Sequence, residues 1–414
     1  MKFVIKGNKN IEGSIKNSGS KNSAVAIIPA SVLAKDEVIL RNVPDIQDVQ
    51  TLIKILKEIG YRINFADNIL KIKPNKKITH RIKSDEVSRL RGSYYFMGAF
   101  LGKIRKIVIK NCGGCNLGYR PINFHLEGFQ KLGARIKKHP QEISLKAKIL
   151  KGTDITLGFP SVGATINIML ACVKAKGRTI IKNCAQEPEI IDVGNFLKAM
   201  GAKIDGLGSE TIIVEGVKKL TGCDYTITSD RIEAGTYLIL GALSDGSGIT
   251  VKGCSPQYLQ SLIELLQNIG CEIIIGETDI TVKKNNPLKP FSITTAPYPA
   301  FPTDLGQMMS VLATQIEGKS AIKETIFSNR FSHVTELQKM GADIVVKGKT
   351  INIQKSKLKA AMVKAYDLRG AASLILAAAL TDGVTYIDNI EVLLRGYERP
   401  VEKLSSLGLD IKLV

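Results

Sequence analysis

Nowhere does the chain hold about 18 consecutive apolar residues, the length a membrane-spanning helix needs, and its richest run, AASLILAAAL at 371–380, suits a buried helix instead. The first ten residues, MKFVIKGNKN, carry only a short apolar island. No secretory leader and no membrane insertion are therefore expected, and the expected location is cytoplasmic. Metal-binding residues are also scarce. Cys112 and Cys115 form the single C-x-x-C pair, while Cys172, Cys184, Cys223, Cys254 and Cys271 stand alone and there are only four histidines. A structural zinc site draws its ligands from two close pairs, so no metal is expected. A thioredoxin-like redox pair would open a helix, which two glycines followed by Asn-Leu-Gly do poorly. Acidic residues are in deficit, 38 against 58 lysines and arginines, giving a formal charge of +20. The lysines are spread along the chain. The one modest cluster, KIKPNKKITHRIK at 71–83, has few aromatics nearby, so no nucleic-acid partner is expected. A positive field also suits small anionic substrates. No G-x-G-x-x-G follows the first strand, which weighs against a dinucleotide fold.

What the chain does have is a repeat. A helix end running into a strand recurs as LKEIGYRINF, FQKLGARIKK, LKAMGAKIDG, LQNIGCEIII, LQKMGADIVV and LSSLGLDIKL, with glycines at 60, 133, 201, 270, 341 and 408. In each copy an apolar 3.6-residue period stops at a Gly able to take the left-handed C-cap conformation, and alternation then marks a strand. Upstream of each lies another strand (VILRN, IVIKN, TIIKN, ITVKG, SAIKE, TYIDN), preceded by an Ala-, Leu- and Ile-rich helix. Six units of about 70 residues predict an α/β protein of two similar halves, three units each, joined near 221–230.

From the turn after the upstream strand to the helix-ending Gly, the spacing is 18, 22, 18, 17, 17 and 19 residues. The surplus in the second copy falls in NCGGCNLGYRP, residues 111–121, and a loop that grows in one copy of a repeat is a candidate functional insertion. Chemically unusual residues gather at two equivalent places in the repeats. At the starts of the Ala-rich helices stand Lys21 and Asn22, Arg89 and Arg91, Ser161, Val162 and Gly163, Asp230 with Arg231 and Glu233, Asp304, and Asp367 with Arg369. At the turns stand Asp48, Cys115 with Arg120, Glu187, Arg330 and Arg395. Helix N-termini suit anions, and arginine adds bidentate hydrogen bonds. Asp230, Asp304 and Asp367 have a plain alternative use as N-caps, and Arg91 and Arg369 as surface ion pairs. Lys21, Arg120, Arg330, Arg369 and Arg395 all falling at these two positions point to a ligand with more than one acidic group.

The motifs GSKNSA, the GGC-x-L-G-x-RP loop, PSVGAT, EPEIID, SDRIEAGT, APYPAFPTD, NRFSHVTEL, DLRGAASL and RGYER, in that order, resemble those of the enolpyruvyl transferases over essentially the whole chain. The resemblance implies a two-lobed inside-out α/β barrel, with residues 21–229 forming the lobe of the cysteine loop and residues 1–20 with 230–414 the other. It also implies transfer of the enolpyruvyl group of phosphoenolpyruvate to the 3-hydroxyl of UDP-N-acetylglucosamine, with release of phosphate, opening peptidoglycan precursor synthesis. No cofactor is implied, and the loop is expected to act as a lid.

By the same resemblance Lys21, Arg120 and Arg395 hold the phosphate, and Arg330 and Arg369 neutralise the carboxylate. Cys115 matches the proton donor, which can form an adduct with phosphoenolpyruvate and is the residue fosfomycin alkylates. A thiol, at a pKa of about 8.5, still holds its proton near neutrality where a carboxyl group has lost it. Asp304 matches the residue that takes the proton of the sugar hydroxyl, and Asn22 lies near the reacting centre. Arg91, Arg120, Pro121, Ile122, Asn123, Phe124, Phe159, Pro160, Ser161, Val162 and Ile326 are implied to line the nucleotide-sugar site. The chain departs from the family pattern at Gln50, Asn123 and Leu394, where the family commonly has acidic residues. Alternatives within the sequence are a relative using another hydroxyl acceptor and a non-catalytic binder. The cysteine loop and PSVGAT argue against the first, and retention of Lys21, Cys115, Asp304 and Arg395 together against the second.

Overall fold

The computed structural model describes residues 1–113, 118, 121–285 and 287–414, so Cys115 and Arg120 lie outside the described residues. The chain divides into two compact units. One is built from Met1–Ser18 and Ser229–Val414, the other essentially from residues 19–113 and 121–228.

Each unit follows one plan three times. Among the described residues there are six four-stranded sheets, and every one has a parallel outer pair followed by two antiparallel pairings. Six inner helices sit against them: α1 (Lys21–Ala30), α2 (Tyr95–Ile104) and α3 (Val162–Cys172) in one unit, α4 (Arg231–Leu243), α5 (Gly306–Ala313) and α6 (Leu368–Ala379) in the other. These helices are apolar nearly all round. Every residue of α5 and α6 is buried, as a helix without a polar face must be. The strands alternate, as in Thr350–Gln354, with one face buried and the other at least partly exposed. Helices inside and sheets outside make each unit an inside-out α/β assembly.

The outer helices are amphipathic by contrast. In Gln47–Glu58 the buried Val49, Leu52, Ile53 and Leu56 form one stripe, and Lys54, Lys57 and Glu58 are exposed. All six repeat glycines carry the left-handed conformation expected at the helix ends, with φ of 102, 98, 99, 107, 90 and 94° at Gly60, Gly133, Gly201, Gly270, Gly341 and Gly408.

Strand pairing near the chain ends and at the join does not follow repeat order. Strand Lys2–Lys6 lies between Val384–Asp388 and Asp410–Leu413, with Phe3 opposite both Ile387 and Leu413. Strand Gly13–Lys16 runs parallel to Ile249–Lys252. In the other unit Asp224–Thr226 pairs in parallel with Val38–Arg41. In each unit a sheet is thus completed by a strand distant in sequence.

Candidate active site

The residues singled out from the sequence fall in both units. In the unit of residues 19–228, Ser20 caps α1 by accepting from the Ser23 N–H at 3.2 Å, which fixes the helix start that carries Lys21 and Asn22. The Lys21 ammonium lies 3.2 Å from Asp48 Oδ2, a carboxylate only 4% exposed in the first turn of Gln47–Glu58. The Asn22 side-chain amide donates to Glu189 Oε1 at 3.1 Å. Both acids sit in the first turn of an outer helix, where the helix dipole favours negative charge; Asp48 has the Lys21 cation beside it and Glu189 the neutral Asn22 amide.

The second cluster of this unit surrounds Arg91. Its guanidinium lies 5.6 Å over the Tyr94 ring, and burial holds it below the ordinary arginine range. Cys112 carries a free thiol that burial pushes well up, so it is not a ready proton donor or nucleophile. His125 is buried, its Nδ1 meeting the Asn167 amide at 2.9 Å, and burial with the nearby Arg91 charge pulls it down to about 3. Since Asn167 Nδ2 is the donor in that bond, the neutral ring carries its proton on Nε2. Residues 121–124 and 158–163 adjoin. A Cβ on Gly158 would come within 3.0 Å of the Phe124 ring, and one on Gly163 within 3.0 Å of His125. Ser161 caps α3 through the Ala164 N–H at 3.3 Å, and Phe159 is 43% exposed just before it. Ile122 and Phe124 on one segment and Pro160 and Val162 on the other are all half-buried apolar residues. Asn123 is exposed and donates to Glu127 at 3.4 Å.

In the unit completed by residues 229–414, Asp304 is the focus. Arg330 Nη2 lies 2.5 Å from its Oδ1, and Arg369 donates to its Oδ2 from Nη2 at 3.2 Å and Nε at 3.4 Å. Both arginine side chains are almost fully buried, at 4% and 3% exposure, while the carboxylate is 26% exposed. Arg330 Nε and Arg369 Nη1 are buried with no hydrogen-bond partner. Two buried cations against one acid, with donors left over, form a site that wants a further anion. Of the three aspartates with an alternative as N-caps, Asp230 and Asp367 are caps, accepting from the second and third N–H groups of α4 and α6. Asp304 instead serves the arginines, because Arg330 and Arg369 converge on it.

Supports not evident in the sequence hold this arrangement. Glu324, 3% exposed, accepts from the Ile326 and Phe327 N–H groups at 2.6 and 3.0 Å and from Thr303 Oγ1 at 2.7 Å, tying the loop of Arg330 to the turn of Asp304. The Arg330 guanidinium also lies 5.3 Å over the Phe327 ring. Tyr397, two residues after Arg395, puts its ring 5.3 Å beneath the Arg369 guanidinium and shares a 2.7 Å hydrogen bond with Thr236 Oγ1. Burial pulls the Arg369 guanidinium down, but Tyr397, Asp304 and Asp230 outweigh it and leave a net upward shift, so Arg369 stays charged. Arg395 is half-buried at the end of the short helix Glu391–Leu394.

Residues 5–404 match the sequence pattern of the family described as EPSP synthase (3-phosphoshikimate 1-carboxyvinyltransferase). A protein of Listeria monocytogenes serotype 4b (strain F2365) named UDP-N-acetylglucosamine 1-carboxyvinyltransferase 2 is 45% identical over 411 residues, covering 99% of this chain and 97% of its own. Its namesake in Bacillus anthracis is 45% identical over 412 residues, 99% and 96% of the two chains. Among solved structures, the enolpyruvyl transferase NikO from Streptomyces tendae superposes with a TM-score of 0.91 at 24% identity over 99% and 98% of the chains. EPSP synthase from Acinetobacter baumannii does so at 0.77 and 20% over the whole of both. With a match from residue 5 to 404 and relatives this similar over nearly their full length, the chain belongs to the EPSP synthase family of enolpyruvyl transferases.

Proposed function

We propose that this enolpyruvyl transferase moves the enolpyruvyl group of phosphoenolpyruvate onto the 3-hydroxyl of UDP-N-acetylglucosamine and releases phosphate, the entry step of peptidoglycan precursor synthesis. The observation that carries the reading is the pair of buried guanidiniums on Asp304, each with an unpartnered donor. The acceptor sugar follows the names of the relatives at 45% identity.

The chemistry is an addition followed by an elimination. The sugar oxygen bonds to the central enol carbon as the methylene carbon gains a proton from Cys115. The methyl group then returns a proton to the Cys115 thiolate, the carbon–phosphate oxygen bond breaks, and inorganic phosphate leaves. Arg330 and Arg369 take the substrate carboxylate, while Lys21, Arg120 and Arg395 take its phosphate, with Asn22 beside the reacting centre. Asp304 accepts the hydroxyl proton. With both its oxygens held by guanidiniums, its lone pairs are engaged. A substrate carboxylate competing for the same donors loosens that hold, so binding of one substrate makes the base available for the other. Phe159–Val162, residues 121–124, Arg91 and Ile326 receive the nucleotide sugar, and the loop of Cys115 closes to exclude water.

Purified protein is expected to release phosphate from phosphoenolpyruvate only when UDP-N-acetylglucosamine is present. Release with shikimate 3-phosphate instead would overturn the acceptor assignment, and release with neither would leave a binding protein. Fosfomycin is expected to label the wild type and Cys112→Ala but not Cys115→Ala, read by mass spectrometry. Labelling of Cys112 would overturn the proton-donor assignment.

Tyr397 is a positioning residue in this scheme. Tyr397→Phe removes the hydrogen bond to Thr236 Oγ1, whose hydroxyl keeps its bond to the Ile232 carbonyl, at a cost of about 0.5–1.5 kcal/mol. The ring that now only packs holds Arg369 less firmly. KM for phosphoenolpyruvate is expected to rise several-fold in steady-state kinetics, with KM for the nucleotide sugar unchanged. Equal changes in both KM values would mark a merely structural role.

A further inference from the structure

The far end of the unit of residues 19–228, where its inner helices finish, gathers basic side chains that the transfer reaction does not use. The 3-10 turn Ser31–Leu33 prolongs α1 and leads through Ala34 to Lys35. Lys103, in the last turn of α2, donates its ammonium to the Ala34 carbonyl. Arg105 follows as the left-handed C-cap of α2, at φ 59°. Lys174, just past α3, donates to the Lys218 carbonyl, and its Cγ would lie 3.8 Å from a Cβ on Gly102. Lys103 and Lys174 are half-buried, while Lys35 and Arg105 are exposed beside them.

Burial first, and then mutual repulsion, holds both half-buried ammonium groups below the ordinary lysine range. The charges acting on Lys103 are Lys174 and Lys35, with Asp36 opposing; those acting on Lys174 are Lys35 and Arg105. Helix C-termini attract cations, so this grouping invites a purely structural explanation. The other unit provides the control, because it repeats the same plan. The turns that follow α4, α5 and α6 carry Asp245, Glu317 and Asp382, each ion-paired with a lysine: Lys284 at 2.6 Å, Lys355, and Lys357 at 3.7 Å. Three inner helices can therefore end without a cluster of cations. The repulsion among Lys35, Lys103, Arg105 and Lys174 is a cost the scaffold does not require.

We propose that Lys35, Lys103, Arg105 and Lys174, brought together at the C-terminal ends of α1, α2 and α3, form a second anion site that binds a compact, multiply charged oxyanion of the phosphate class. Two half-buried ammonium groups anchored on carbonyls are already placed, so little side-chain entropy is lost on binding. The exposed Lys35 and Arg105 supply long-range attraction and, from Arg105, a planar fork for two oxygens.

The test is calorimetric titration of the full chain with inorganic pyrophosphate, on the wild type, Lys103→Gln with Lys174→Gln, and Arg369→Gln. The Arg369 variant is expected to keep a pyrophosphate site within about twofold of wild-type affinity, and the lysine double variant to lose it by at least about tenfold. Enolpyruvyl transfer by the double variant should stay within about twofold of wild type. Should the double variant fold poorly, Lys35→Gln with Arg105→Gln, both exposed, is expected to weaken binding by the same order, and Lys103→Arg with Lys174→Arg to retain it. Unchanged affinity in the glutamine variants, or loss of all pyrophosphate binding in Arg369→Gln, overturns the proposal. Comparing inorganic phosphate with glycerol phosphate then identifies the source: tighter binding of the ester marks a phosphorylated metabolite, and equal or weaker binding the free ion.

Discussion

Asp304→Asn is expected to lower kcat by about 10²–10⁴-fold, the range for losing a general acid or base, while KM for phosphoenolpyruvate stays level or falls. The amide keeps the size of the side chain and one acceptor oxygen, so the turn at Thr303–Leu305 is not disturbed. What changes is charge. Arg330 and Arg369, at 4% and 3% exposure, lose the one acid that contacts both. Breaking a buried pair by neutralising one partner typically costs about 3–5 kcal/mol, and the 26% exposure of Asp304 places this case toward the lower end. The free enzyme should therefore melt earlier, and phosphoenolpyruvate should restore more stability to the variant than to the wild type, because its carboxylate supplies the missing charge. Steady-state kinetics and thermal unfolding with and without phosphoenolpyruvate check both halves. An unchanged kcat would reduce Asp304 to a counter-ion, and a raised KM for phosphoenolpyruvate would show that the guanidiniums do not receive the substrate carboxylate.

How much of this was legible in the sequence follows from what each residue type encodes. The six glycines could be read because a helix that stops in the left-handed region favours Gly, and φ near 100° at all six is that preference made visible. The inner helices could be read because their lack of a polar face leaves burial as the one solution. Pairings across long separations could not. Arg330 lies 26 residues from Asp304 and Arg369 lies 65, and no local pattern says that all three meet. Asp48 stood out at a turn and Glu189 within EPEIID, but their engagement with Lys21 and Asn22 depends on how outer and inner helices pack. Tyr397 lies inside RGYER and Glu324 ends SAIKE, but neither pattern says which side chains they meet, and His125 carries no sequence signal of its own. The strand Lys2–Lys6 reads as a strand, but its place between Val384–Asp388 and Asp410–Leu413 joins segments about 380 to 410 residues apart and has no local signal.

The two units should also share an acid sensitivity that their cores impose. Each buries one neutral histidine, His125 in one and His333 in the other, at 6% and 3% exposure. Burial is the main cause of both downward shifts, to about 3 for His125, with Arg91 adding to it. For His333 burial again dominates; Asp367 opposes it and Arg330 reinforces it. Unfolded histidines titrate near 6.5, so below that pH the unfolded chain binds protons that the folded chain refuses, and stability falls as pH falls. The loss begins near pH 6.5 and runs down toward the folded values. For His125 alone it amounts to about 2 kcal/mol by pH 5, at 1.36 kcal/mol per unit, before most carboxylates titrate. Urea unfolding followed between pH 7.5 and 5 should show this decline in the wild type and a flatter profile in His125→Gln, whose amide can still accept from Asn167. A wild-type profile that is flat across this window would mean that His125 is solvated and charged, and that the cluster of Arg91, Tyr94 and Asn167 around it is more open than its burial shows.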